Sequence, residues 1–351
     1  MIDPADLKHC EDSIRTGSYS FHAASRLLPR SVRDPALALY AFCRMTDDSV
    51  DLTTDKSAAV LTLGERLELV YRGTPRNAPA DRAFAAVVEE FDMPRTLPEA
   101  LLEGMAWDAM GRRYATLSGV YAYSARVAAA VGAMMTVLMR VRCPHTLARA
   151  CDLGVAMQLS NIARDVGEDA HEGRFYLPLE WMDEAGVDVE AFLADPQPGK
   201  EIRRLVQRLI ADSNRLYFRA EPGVAELPFL CRPGIFAARH IYCGIGREVR
   251  RAGFDSITRR AHTTKRQKLG WLILSTAQAL TVTVMPRSAV LYGKPLPECA
   301  YLVEAAADRR PSDNPWGEGR AGEIIAVLAQ LEARRRAQRG AALEQSRRQA
   351  I

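Results

Sequence analysis

The sequence predicts an all-α fold, a helical bundle built around one core, and three observations carry that expectation. Helix-opening signals recur along the chain, apolar residues after them return at three- and four-residue spacing, and strand-like alternation is nearly absent. With 48% hydrophobic and 26% charged residues, the 351-residue chain has the apolar material for a large core, which excludes global disorder.

Asp34-Pro35 reads as a cap followed by a first-turn proline, so a helix is expected from about 35 to 52. Thr96-Leu97-Pro98-Glu99 and Pro144-His145-Thr146 open further helices. Turn chemistry gathers at 73–79, 195–199, Glu221-Pro222-Gly223 and Arg232-Pro233-Gly234, dividing the chain into long helices joined by short loops. The expected organisation is one catalytic domain over 1–290, followed by a polar, Arg-rich extension over 291–351. The arginines at 334–336, 339, 347 and 348 read as a solvated tail, and no nucleic-acid partner is expected.

A net charge of +4 is mild. Seven cysteines lie scattered without zinc-ligand spacing, and the N-terminus lacks the basic-then-apolar order of a signal peptide, so a cytoplasmic protein is expected. The most apolar run, Trp271 to Met285, is interrupted by Ser275, Gln278 and Thr281 and falls short of the ~20 residues that span a bilayer. It reads as a buried or interfacial helix.

Two acidic stretches carry the chemistry. Asp47 and Asp51 stand four apart at the end of the helix that begins near Pro35, with Arg44 one turn earlier. Taken alone, such a pair is the solvated face of a helix. Gln158, Asn161, Asp165 and Asp169 follow at spacings of three, four and four, sharing one stripe among apolar neighbours, so that stripe looks inward. Two helices aiming carboxylates into a bundle make a hard oxygen site suited to Mg²⁺, with Mn²⁺ as a substitute, and unsuited to zinc or copper. Mg²⁺ takes few protein ligands and completes its octahedron with phosphate oxygens, which points to a diphosphate substrate. Arg44 and Arg164 flank the clusters and can hold diphosphate, although each can equally well screen its neighbouring Asp.

With both clusters in view, the chain resembles the squalene and phytoene synthase family, whose two D-x-x-x-D motifs match Asp47 to Asp51 and Asp165 to Asp169. Ser18-Tyr19-Ser20-Phe21 before Leu27-Leu28-Pro29, the run Leu39 to Arg44, Gly173-Arg174-Phe175-Tyr176-Leu177-Pro178, Ile241-Tyr242 and Arg260 to Lys265 also fit, over about residues 12–285. A departure lies at Arg126, where the family usually carries an aromatic, and the following Val127 to Gly132 replaces its V-A-G-T-V-G run. Alanines there suit either close helix packing or room for a prenyl chain.

The resemblance implies the class I isoprenoid synthase bundle with a central cavity, and head-to-head condensation of two geranylgeranyl diphosphates through a cyclopropyl diphosphate. The sibling products squalene, hydroxysqualene and dehydrosqualene, from farnesyl diphosphate, stay open at this stage. It further implies Asp47, Asp51, Asp165 and Asp169 as the catalytic metal scaffold, with Asn161 as a further ligand and Gln158 as polar support. Arg44, Arg164 and Arg260 become diphosphate ligands, and Tyr40, Tyr123 and Tyr242 hydrogen-bond diphosphate or face a carbocation, Tyr242 being counted with the catalytic set. Ser18, Phe21 and Val127 join the substrate site, the last two on the hydrocarbon tunnel. No NADPH is expected. A hydrocarbon product implies peripheral contact with the inner face of the cell membrane, and contact with other carotenoid-pathway enzymes. Chain-elongating prenyltransferases and class I terpene cyclases, which also use helical aspartates, and a non-enzymatic helical scaffold are the competing classes.

Overall fold

The structure, a computed structural model, describes residues 2–51, 56–284 and 288–307; the side chains at 19, 20, 46–51, 56, 57 and 284 lie outside the description. Among the described residues there is no strand. The helices run α1 (Pro4–Gly17), α2 (Tyr19–Ser25), α3 (Arg30–Asp51), α4 (Lys56–Tyr71), α5 (Pro79–Phe91), α6 (Thr96–Ala109), α7 (Leu117–Ser124) and α8 (Ala130–Leu138). They continue as α9 (Pro144–His171), α10 (Leu179–Ala185), α11 (Val189–Ala194), α12 (Lys200–Val224), α13 (Arg232–Arg251), α14 (Lys265–Val284) and α15 (Ala300–Ala307).

The helix α9 is the axis of the bundle, packed against α8, α12, α13 and α15. Its apolar residues Leu147, Val155, Leu159, Ile162 and Val166 are all buried. A π-helical segment, Ala125–Ala129, joins α7 to α8 and lies against α9 at Gly154. A Cβ on Gly154 would stand 2.6 Å from the Ala129 Cα, so only glycine admits this approach. Ala129 and Ala130 are fully buried, and their small size therefore serves close packing, whereas Ala128 borders a cavity described below.

Three local expectations are corrected. The helix expected near Pro35 begins at Arg30, because the Pro29 carbonyl accepts from the Val32 and Arg33 amides and starts the helix five residues early; Asp34 pairs with Arg33 instead of capping. Glu221-Pro222-Gly223 lies inside the last turn of α12, where Gly223 lets the buried Arg149 pass at a distance no Cβ would allow. Arg232-Pro233-Gly234 forms the first turn of α13, the position where proline costs no hydrogen bond.

Residues expected to begin the polar extension at 291 are packed onto the bundle as far as Ala307, with Leu291, Leu296, Cys299, Leu302 and Val303 buried. Arg149 anchors this segment by donating to the carbonyls of Val290, Gly293 and Lys294. The Arg-rich stretch from 308 lies outside the described residues. The apolar run from Trp271 forms most of α14, held to α13 where the Trp271 ring lies over Gly244. Its outer face leaves Leu269 (61%), Ile273 (68%) and Leu280 (57%) exposed.

Candidate active site

The inward stripe of α9 sits where its spacing places it. Gln158, Asn161, Asp165 and Asp169 line one cavity of about 420 Å³, together with Arg164, Met105, Asp108, Tyr123, Ile162, Arg174 and Tyr176. A second cavity of about 450 Å³, mostly apolar, runs between α2, α3, α9 and α13 and contains Ser18, Phe21, Tyr40, Arg44, Val127 and Tyr242. Gln158 and Asn161 line both, so the polar chamber and the apolar tunnel meet at the middle of the stripe.

The two carboxylates of the stripe differ in electrostatics. Burial pushes Asp165 up, but Arg164 and Arg260 outweigh it and hold the carboxyl below the usual range. Arg164 donates to both oxygens of Asp165, at 2.7 and 2.5 Å, and Arg260 reaches in from the loop before α14 at 2.9 and 3.2 Å. Two of the three guanidinium groups expected on diphosphate, those of Arg164 and Arg260, thus rest on Asp165, and Arg260 also pairs with Glu168 at 3.1 Å. Asp169 is pushed up to about 7, chiefly by burial; Arg174, its neighbour at 3.6 Å, pulls the other way, and nearby Asp165, Glu172 and Glu168 add to the rise.

A buried carboxylate with too little positive charge around it fits a divalent cation, and the donors nearby are hard oxygens. Among the described residues no three carboxylate, imidazole or thiol groups converge as a closed metal cage. The first acidic motif lies on α3, whose backbone helix runs through Asp47 to Asp51, while those side chains are outside the described residues. Arg44 and Tyr40, one and two turns earlier on α3, face the apolar cavity.

The aromatic assignments divide between the chambers. Tyr123 lies in the polar one, its hydroxyl donating to Asp108 at 2.8 Å. Phe21 packs against Tyr242 with centroids 5.4 Å apart and against Tyr40 at 6.3 Å, closing one wall of the tunnel. Burial pushes the Tyr242 phenol up, with Arg164 opposing it, so it keeps its proton. The Ser18 hydroxyl caps α2 by accepting from the Phe21 amide at 3.3 Å, so it orients Phe21 as well as lining the wall.

Arg126 turns away from both cavities. It pairs with buried Glu103 at 2.8 Å, donates to the Ala122 carbonyl and lies over the Trp107 ring at 4.1 Å. The departure at this position therefore alters the packing behind the wall without placing a charge in the tunnel. Asp108, Arg174 and Tyr176 carry no role in the sequence reading. Arg174 and Tyr176 stand within the quoted Gly173 to Pro178 block, which was signal enough to find them; Asp108 has no acidic partner at helical spacing and becomes visible only in three dimensions.

An all-α bundle with a carboxylate chamber opening into an apolar tunnel defines an enzyme of the isoprenoid-condensing class. Residues 14–267 match the squalene/phytoene synthase family, and the chain belongs to it. It is 62% identical over 346 residues to the phytoene synthase of Cereibacter sphaeroides, covering 96% of both chains. To the phytoene synthase of Rhodobacter capsulatus it is 64% identical over 340 residues, covering 96% of this chain and 98% of that one. Among solved structures it is similar to a ligand-bound dehydrosqualene synthase, with a TM-score of 0.72 and 28% identity over 79% of this chain and 97% of that one.

Proposed function

We propose that this chain condenses two molecules of geranylgeranyl diphosphate head to head to phytoene, in carotenoid biosynthesis, releasing both diphosphates. The observation that carries the reading is the junction of the two chambers at Gln158 and Asn161, where a diphosphate held in the polar chamber would adjoin a hydrocarbon lying in the apolar one. Relatives at 62% and 64% identity over nearly the whole chain bear the phytoene synthase name, which selects this product over its shorter siblings.

The protein has two tasks in such a reaction: to neutralise departing diphosphate and to keep carbocations from water. We assign Asp165, Asp169 and Asn161, with Asp47 and Asp51 on α3, to hold Mg²⁺, or Mn²⁺ in its place. The ion, when bound, neutralises diphosphate oxygens as the allylic carbon–oxygen bond breaks. Arg164 and Arg260 then have an alternative anion to Asp165, and Arg44, on the lining of the tunnel, is assigned to the same anion. Phe21, Tyr40, Val127 and Tyr242 shape the tunnel that orients the prenyl chains and excludes water. The first step joins the two chains as a cyclopropyl diphosphate with loss of one diphosphate and one proton; the second loses the other diphosphate and a second proton. No reductant enters that balance, so NADPH is not required.

A hydrocarbon product has its natural reservoir in lipid, and we assign α14 to peripheral contact with the inner face of the cell membrane. Exposed Leu269, Ile273 and Leu280 follow exposed Lys265 and Arg266, and α14 has no acidic residue. The neighbouring turn Phe229–Cys231 adds exposed Phe229 and Leu230 and is joined to α14 by the Arg232 to Thr283 hydrogen bond at 2.9 Å.

The test of the reading is incubation with labelled geranylgeranyl diphosphate or farnesyl diphosphate and Mg²⁺, with and without NADPH. Phytoene formed from the longer substrate irrespective of NADPH supports it. A hydrocarbon formed from farnesyl diphosphate alone overturns it.

A further inference from the structure

Asp108 stands in the last turn of α6, away from both acidic motifs, yet it faces the same polar chamber as Asp165 and Asp169. Each of its oxygens has a phenol attached: Oδ2 accepts from Tyr123 at 2.8 Å and Oδ1 from Tyr176 at 2.8 Å. The two rings stack with centroids 5.0 Å apart and an interplanar angle of 23°, and Tyr114 packs against both. This carboxylate and its two tyrosines come from α6, α7 and the loop after α9, so the grouping is tertiary in origin.

A tyrosine hydroxyl has one proton to give and lone pairs to offer. Once that proton is donated to Asp108, the hydroxyl has none left for a diphosphate, and its lone pairs, the negative end of its dipole, remain for whatever occupies the chamber. Such a surface favours a developing carbocation and repels an anion. Burial and the adjacent Asp108 charge both push the Tyr123 and Tyr176 phenols up, so both stay protonated and the donation persists.

We propose that Asp108 is a positioning residue that turns the Tyr123 and Tyr176 protons away from the chamber, making these tyrosines carbocation-facing surfaces and not diphosphate ligands. The inference rests on the condensing function proposed above. It assigns the two halves of the substrate to different residues of one chamber: diphosphate to Asp165 and Asp169, the carbocation to the tyrosines held by Asp108. Asp108 acts through the hydroxyls, so its effect must vanish when they are absent.

That dependence gives the experiment. In the full-length chain, Asp108→Asn is made alone and in a Tyr123→Phe/Tyr176→Phe background, with kcat and KM measured on geranylgeranyl diphosphate. Asp108→Asn alone is expected to lower kcat by about tenfold or more with KM within about twofold, and to lower kcat by less than about twofold further in the Phe background. Equal losses in both backgrounds, or no loss in the wild-type background, would overturn the proposal. If Asp108→Asn does not fold, as judged by circular dichroism, the double Phe variant decides alone: reduced kcat at unchanged KM supports the assignment, and any other result, including raised KM at unchanged kcat, overturns it. An inactive wild-type chain would count against the condensing function itself, a result separate from either pattern.

Discussion

Arg260 clasps Asp165 through two parallel bonds, Nε to Oδ1 at 2.9 Å and Nη2 to Oδ2 at 3.2 Å, across 95 residues of chain. The pair ties the loop before α14 to α9. Against the opposing effect of burial, Arg260 and Arg164 together hold the Asp165 carboxyl below its usual range.

Arg260 is 43% exposed, so the pair is screened and adds little to folding. In the function proposed above, Arg260 binds an anion once Asp165 is otherwise engaged. Arg260→Ala is therefore expected to leave the unfolding midpoint within about 1 kcal/mol of wild type while raising KM about tenfold. Steady-state kinetics with a parallel urea titration check both halves.

Asp165→Ala removes a group we assign to the transition state and should slow turnover by roughly a thousandfold, about 4 kcal/mol of barrier. Asp47→Ala is expected to match it. Near-normal activity of either variant in saturating Mg²⁺ would sink the metal assignment.

Asp169 gives a pH dependence with a definite sign. Its folded-state value, about 7, lies above the ordinary 3.8, so the folded protein binds the proton more tightly than the unfolded chain. The stabilisation is complete below about pH 4 and is lost as pH rises through about 7. In chelator-treated protein, wild type should lose stability relative to Asp169→Asn between about pH 4 and 7 and level off above that, as read by thermal melts. Parallel pH profiles for the two proteins would contradict the burial of this carboxylate.

The sequence carried the inward stripe because Gln158, Asn161, Asp165 and Asp169 are local to one helix, where spacing alone dictates direction. It could not reveal which guanidinium serves which anion: Arg260 reaches Asp165 only through the fold, as does Asp108 its two tyrosines. The early start of α3 and the helical Glu221-Pro222-Gly223 were misread for a related reason. Proline and glycine read locally as punctuation, whereas Gly223 is required by the passage of Arg149 from another helix. The alanines after Arg126 were ambiguous for the same cause, resolved by Gly154 pressing on Ala129.

That last contact yields a stability prediction. A methyl at Gly154 would meet the Ala128 carbonyl oxygen at 2.7 Å and the Ala129 amide nitrogen at 2.7 Å, and backbone cannot swing aside. Gly154→Ala should cost about 1–3 kcal/mol and displace the π-helical wall that carries Val127. Denaturant unfolding measures the cost, and an unchanged midpoint would argue against so close a packing of α9.

Placing charge on the outer face of α14 tests the lipid contact. Ile273→Glu/Leu280→Glu should reduce co-sedimentation with liposomes at least about tenfold, while activity on detergent-dispersed substrate stays near wild type. Undiminished sedimentation would remove α14 from that role.

The central claim, that a carboxylate chamber and an apolar tunnel joined at Gln158 and Asn161 condense two prenyl diphosphates, is met most directly by product analysis. With labelled geranylgeranyl diphosphate and Mg²⁺ as the only additions, the purified chain is predicted to release phytoene and two diphosphates per product. Recovery of a longer diphosphate, a cyclised terpene or unreacted substrate would contradict it.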